Sequence, residues 1–173
     1  AGAAINTFAG VTGTAGVAMS VDNFYDAIFA LEAASVPGPY YCLLNPIQLA
    51  ALQESARAEG GVAQWQTATA DLVRIKGQGY QGNFLGIDIY RSDKVLVAAG
   101  DAHGGMWGLG AMAYKTGSQA NPMGGFVTSP DSSIVVEFER VAAQATTQII
   151  GSAYLGMSVI EQARGVQIRT LGV

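Results

Sequence analysis

The sequence predicts an α+β fold, and three observations predict it. Helical periodicity is confined to the first third of the chain, where two amphipathic patterns fall within residues 21–59. An Asn45-Pro46 step joins an apolar strand pattern directly to the second of them. Beyond residue 84 the pattern turns to period two with β-branched residues, in segments such as LGIDIYRS and IVVEFERV.

Taken in order, residues 1–19 are rich in Gly, Ala and Thr without a period, and read as extended or loop. Ser20 is placed to cap a helix, with Asp22 in a first turn whose amides favour an anion. Val21, Phe24, Tyr25, Ile28 and Leu31 then recur at helical spacing, so a helix is expected over 21–34, stopped by VPGP at 36–39. Tyr40 to Leu44 reads as a short apolar strand. Asn45 caps the next helix, Pro46 suits its first position, and Ile47, Ala50, Ala51 and Leu52 begin its face; it runs to about Glu59 and closes at Gly60-Gly61.

Residues 63–84 are polar and irregular, with a short strand expected at 71–76. In LGIDIYRS, Ile87 and Ile89, with Leu85, face one way and Asp88 and Tyr90 the other. KVLVAAG reads as another strand, 104–116 as strand-like, 117–133 as an exposed loop, 134–150 as a long strand or pair of strands, and GVQIRTLGV as a last strand.

A chain of 173 residues can bury roughly 70% of its unfolded surface without a metal or disulfide staple. Half of its residues are apolar and 13% are charged, about half the usual charged share. Such a surface has too little charge to be covered by solvated side chains, so oligomer or assembly is the expectation. Nine basic against thirteen acidic residues give a net charge of −4, and the first basic side chain is Arg57. Tight phosphate-led binding of nucleic acid is therefore not expected. The single cysteine, Cys42, lies in the apolar run YYCLL and reads as a buried small hydrophobe. The uncharged stretches 1–21 and 141–160 carry too many Gly, Thr, Gln and Ser for a membrane span, which points to a soluble protein. A chain opening on Ala1 is expected to be processed or part of something longer.

Candidate chemistry is sparse. Gly77-x-Gly79-x-x-Gly82 has the spacing of a dinucleotide loop, but such a loop must open a helix, and NFLGIDIY follows with period two. A turn is expected there. His103, the only histidine, sits in GDAHGG near Asp101; the two are an incomplete metal pair, and a catalytic use would need further groups. Glu137 and Glu139 share a strand face and read as a solvated stripe rather than a glycosidase pair across a cleft. Trp65 and Trp107 read as core or interface rings. No catalytic, cofactor-binding or metal residue is assigned, and no cofactor is expected.

Three segments resemble, in the right order, the major capsid proteins of tailed bacteriophages. SVDNFYDAIFALEAASVPGPYYCLLNPIQLAALQE (20–54) is similar to their helix, proline loop, strand and Asn/His-Pro-x-Gln helix. GYQGNFLGIDIYRSDKV (79–95) is similar to the strand that follows, and VEFERVAAQATTQIIGSAYLGMSVIEQARGVQIRT (136–170) to the C-terminal strands. The resemblance implies the Hong Kong 97-type capsid fold, with 1–19 an extended segment, 20–132 mainly an axial-type α+β domain and 133–173 strands of a peripheral-type domain. At this length the N-terminal arm, the E-loop hairpin and the spine helix are expected to be absent. The implied role is an icosahedral phage capsid subunit, not an enzyme. Its copies form pentamers and hexamers around double-stranded DNA, in a virion assembled in the host cytoplasm. Implied partners are other copies of itself and scaffolding, portal or decoration proteins, with weak or no direct DNA binding. The alternatives are an encapsulin-like shell, which shares the fold, a small α+β enzyme using His103 and Asp101, and a secreted module stacking ligands on Trp65 or Trp107.

Overall fold

The computed structural model describes residues 8–60, 64–117, 126–127, 134–141 and 146–173. Its elements run β1 (Gly10–Thr12), α1 (Val21–Ala33), β2 (Tyr41–Leu44), α2 (Pro46–Ala58), β3 (Trp65–Thr67), α3 (Ala70–Lys76), β4 (Tyr80–Phe84), β5 (Ile87–Arg91), β6 (Val97–Ala98) and β7 (Asp101–Trp107). There follow β8 (Met112–Gly117), β9 (Phe126–Val127), β10 (Ile134–Val141), β11 (Thr146–Val159), a 3-10 turn (Gln162–Arg164) and β12 (Gly165–Leu171). They form two compact units, Ala1–Met112 with Val159–Val173, and Ala113–Ser158.

The larger unit is built on a mixed sheet in the order β1-β12-β7-β2-β5-β4-β3. Parallel pairs β1–β12 and β2–β5 alternate with antiparallel ones, and β6 pairs with β7 beyond the end of β2. Both α1 and α2 lie on one face. Val21, Phe24, Ala27 and Leu31 of α1 and Leu49, Leu52 and Ala56 of α2 bury against Cys42, Phe84, Ile89, Met106 and Ile168 of the sheet. Phe24 meets Phe84 edge-on with ring centroids 5.4 Å apart, a favoured aromatic geometry.

Each of these two helices begins with a reciprocal cap. Ser20 Oγ accepts from the Asn23 amide while Asn23 Oδ1 accepts from the Ser20 amide. Asn45 Oδ1 accepts from the Ile47 amide, and Gln48 Oε1 accepts from the Asn45 amide, with Pro46 at the first helical position. The fully buried Gln48 then reaches the sheet: its Nε2 donates to the Ala102 carbonyl, the Ile168 carbonyl and Thr170 Oγ1 at 3.0, 3.2 and 2.8 Å. Gly104 makes room beneath it, because a Cβ there would lie 2.8 Å from Gln48 Oε1 and 2.9 Å from the Leu43 carbonyl.

The smaller unit is a four-stranded sheet in the order β8-β11-β10-β9. β10 and β11 pair antiparallel in unbroken register from Ile134↔Ala153 to Val141↔Thr146. The 14 residues of β11 extend about 46 Å at ~3.3 Å per residue.

Several expectations need correction. The strand expected at 71–76 is the helix α3, capped by Thr69, whose Oγ1 accepts from the Leu72 amide. Asp71 in its first turn and Arg74 and Lys76 in its last suit the helix dipole. It has no buried residue, so no core-facing stripe marks it as helical. KVLVAAG contributes only the two residues of β6, and 104–116 divides between β7 and β8, with Gly110 at φ +79 in the turn. The 1–19 segment contains β1. The two compact units part at Met112 and Ser158, and β12 pairs within the larger sheet. Most of the 117–133 segment lies outside the described residues.

Candidate functional site

Asp101 and His103 stand two apart on β7 and so share one sheet face, the face opposite α1 and α2. Each is held by neighbouring groups. Asp101 is buried; its Oδ1 accepts from the Gly16 amide at 2.7 Å and its Oδ2 from Arg169 Nε and Nη2 at 3.0 and 2.9 Å. The Gly16 amide, and after it the Arg169 guanidinium, hold this carboxyl below the usual carboxylate range against the opposing effect of burial. His103 Nδ1 lies 2.6 Å from Gln167 Nε2. His103 Nε2 is buried and has no hydrogen-bond partner among the described residues. No group of three His, Cys, Asp or Glu side chains able to hold a metal occurs among the described residues.

The glycine loop runs opposite to a nucleotide cradle: Gly77 (φ +101) ends α3, and Gly82 (φ +135) lies inside β4, so the loop leaves a helix and enters a strand. A Cβ on Gly82 would collide with the Gln66 carbonyl across the β3–β4 pair. Cys42 is completely buried, and burial pushes its thiol well above the ordinary range, so it is no thiolate. Glu137 and Glu139 lie on one face of β10, paired with Ile150 and Gln148, and their side chains lie outside the described part. Trp107 packs against Phe8, whose ring occupies the space that a Gly165 side chain would fill.

The remaining polar cluster is structural as well. Lys76 Nζ is 2.5 Å from Asp88 Oδ2 and 4.8 Å from the Tyr80 ring centroid, and Asp88 Oδ1 accepts from Tyr80 and Asn83. Burial pushes the Asp88 carboxyl up, but the hydrogen bonds from Lys76 and Asn83 outweigh it and the net shift is downward. The Asp88 hydrogen bond raises Lys76 in turn.

What the molecule does present is surface. Phe29 is 60% exposed and Ile75 79%, and Val11, Val17, Leu109 and Ile160 are also exposed. The outward side of α1 carries Asp22, Asp26, Phe29 and Glu32 with no basic residue in the helix, and Phe29 stacks on Tyr25 at 6.2 Å. An open cleft of about 330 Å³ is lined by Gln53, Ala56 and Arg57 of α2, Trp65 and Thr67 of β3 and Gln81 of β4. Trp65 lines it and packs on Phe84, ring centroids 5.3 Å apart. The sequence reading placed Trp65 in a core or interface but missed this cleft, whose parts come together only when β3 and β4 pair. It also missed Gln48 as a tie between helix and sheet. A polar residue three positions after an Asn-Pro cap, on an otherwise apolar helix face, was the available signal. No helix among the described residues is long and apolar enough to cross a membrane.

No protein-family model and no curated protein matches the chain. Solved structures do match. The holo-SrpI encapsulin complex from Synechococcus elongatus PCC 7942 superposes with a TM-score of 0.65 at 14% identity, over 92% of this chain and 54% of that one. A structure of Mycobacterium phage Che8 matches at 0.61 and 19% identity, over 95% of this chain and 54% of that one. The capsid of cyanophage P-SCSP1u matches at 0.51 and 14%, over 94% and 54%. The chain therefore spans about half the length of the proteins it matches. The fold these structures share with it is the Hong Kong 97-type capsid fold, as the sequence resemblance implied.

Proposed function

We propose that the chain is the shell-forming part of an icosahedral phage capsid subunit, whose identical copies assemble into pentamers and hexamers around double-stranded DNA. One observation carries the reading: over nine-tenths of the chain superposes on the subunits of an encapsulin and of phage particles. The surface supports it. A shell subunit must bury broad faces against several neighbours, and a chain with 13% charged residues and exposed Phe29, Ile75 and Ile160 suits that burial. A net charge of −4 suits an inner surface that confines DNA without gripping it. Catalysis is not part of the role, in keeping with the engaged Asp101 and the buried His103 Nε2. Scaffolding, portal or decoration proteins are further partners of such a shell, and its place is the virion.

The encapsulin match favours a second reading, a shell around protein cargo. Expression of the full-length gene, with any scaffold supplied, followed by sedimentation and negative-stain microscopy tests both. Closed particles of uniform diameter support a shell, and nuclease-protected DNA inside them selects the phage reading over the encapsulin one. Soluble subunits alone under those conditions contradict both.

A further inference from the structure

The cleft between α2 and β3 gathers polar side chains that do not satisfy one another. Gln53 and Arg57 stand one turn apart on α2 and share a flank, with the small, buried Ala56 beside Arg57. Arg57 has no ion-pair partner among the described residues, and no carboxylate is among those that line the cleft. Trp65 and Thr67 alternate onto one face of β3, and Trp65 stays only half-buried although it packs on Phe84. A guanidinium, an indole, a hydroxyl and two carboxamides thus line about 330 Å³. That is near the low end of ligand cavities, which run ~300–1,000 Å³, and suits one small ligand.

Gln81 joins the cleft through a distortion of the sheet. Tyr80 pairs with Tyr90 and Gly82 with Ile89, so Gln81 is an extra residue that opposes nothing on β5. Such a bulge redirects a side chain. The backbone around it is fixed: the Ala68 amide donates to the Gln81 carbonyl, and Gly82, at φ +135, leaves no room for a Cβ against the Gln66 carbonyl. The bulge therefore adds a carboxamide from β4 to the one that α2 supplies.

We propose that this cleft binds a nucleoside monophosphate, with the base on the Trp65 ring, its polar edge read by the Gln53 and Gln81 carboxamides, and the phosphate on the Arg57 guanidinium. Each group suits its role. An aromatic face stacks any base, a Gln carboxamide matches the donor and acceptor of an adenine edge, and an Arg fork takes two phosphate oxygens at once. The Thr67 hydroxyl suits the ribose. One cation fits a mononucleotide and not a polymer, in keeping with a net charge of −4. The inference does not rest on the shell reading, because every lining residue lies within one unit of one chain.

The test titrates the full-length protein with AMP, adenosine, inorganic phosphate and benzoate, read by calorimetry and by indole fluorescence. AMP is expected to half-saturate below about 1 mM. Adenosine, phosphate and benzoate are expected to bind about tenfold more weakly, since each lacks a matched group; this comparison needs no variant. Arg57→Gln, a change at an exposed side chain, is expected to weaken AMP about tenfold and leave adenosine unchanged. Gln81→Glu, which sets a carboxylate in the cleft, is expected to weaken AMP as well. The two tryptophans are Trp65 and Trp107, and Trp107 packs on Phe8 instead. Saturable quenching by AMP is therefore expected to persist in Trp107→Phe and to vanish in Trp65→Phe, with circular dichroism confirming that each variant folds. Absence of AMP binding, an Arg57→Gln variant that binds AMP like wild type, quenching that survives in Trp65→Phe, or benzoate that binds as tightly as AMP overturns the proposal. Particle formation is read separately: protein that assembles without binding AMP leaves the shell reading intact, and protein that binds AMP without assembling leaves the nucleotide site intact.

Discussion

Gln48 shows how much one side chain organises. It closes the cap of α2 with its oxygen and ties that helix to β7 and β12 with its nitrogen, all without solvent. Replacing it by Leu preserves bulk but removes the donor to the Ala102 and Ile168 carbonyls and to Thr170 Oγ1, and is expected to cost about 1–3 kcal/mol. A urea titration that finds a loss below half of that would show the tie to be dispensable. Gly104→Ala places a methyl against the same carboxamide and the Leu43 carbonyl, and is expected to cost about 1–3 kcal/mol in the same assay. Asp101 makes a pH prediction. Its folded pKa is depressed, so the stability it contributes is complete above the ordinary carboxylate value and is lost as pH falls through the lower folded value. The gap in unfolding midpoint between wild type and Asp101→Asn is therefore expected to be constant from neutral pH down to about pH 5 and to shrink below about pH 4. A gap that widens on acidification contradicts the assignment.

The elements differ in how firmly their surroundings hold them. α1 and α2 each combine a reciprocal cap with a buried apolar stripe, while α3 has the Thr69 cap and no buried residue. Thr69→Ala is expected to cost about 1 kcal/mol of local stability and to speed amide exchange in α3 alone. Equal acceleration in α1 or α2 would mean that α3 is a cooperative part of the core. The same contrast explains what could be read in advance. α1 and α2 were legible because Ser20, Asn45 and Pro46 mark their starts and the apolar spacing repeats against a core. In α3, Leu72, Val73 and Ile75 show no such stripe, since none of them is buried, and the run passes for a strand. β7 was blurred because Gly104 and His103 interrupt its alternation for reasons of packing on Gln48 and Gln167, residues distant in sequence. The cleft was illegible for a similar reason: Gln81 reaches Trp65 and Arg57 only through the β3–β4 pairing.

For the whole molecule, the fold was recognisable from the order of three weak motifs, each mostly an apolar pattern, and that order is a property no single element holds. β12 returns to the larger sheet after an excursion of 46 residues, Ala113–Ser158, a pairing that no local pattern in the sequence encodes. Under the proposed shell function, low charge and exposed apolar side chains are surfaces for other copies to cover. The proposed function predicts that these copies build a closed shell with icosahedral symmetry. Cryo-electron microscopy of particles assembled from the full-length protein tests it most directly. The expected result is an icosahedral reconstruction in which the larger units cluster about five- and six-fold positions. Particles without that symmetry, or protein that remains monomeric under assembling conditions, would contradict the claim.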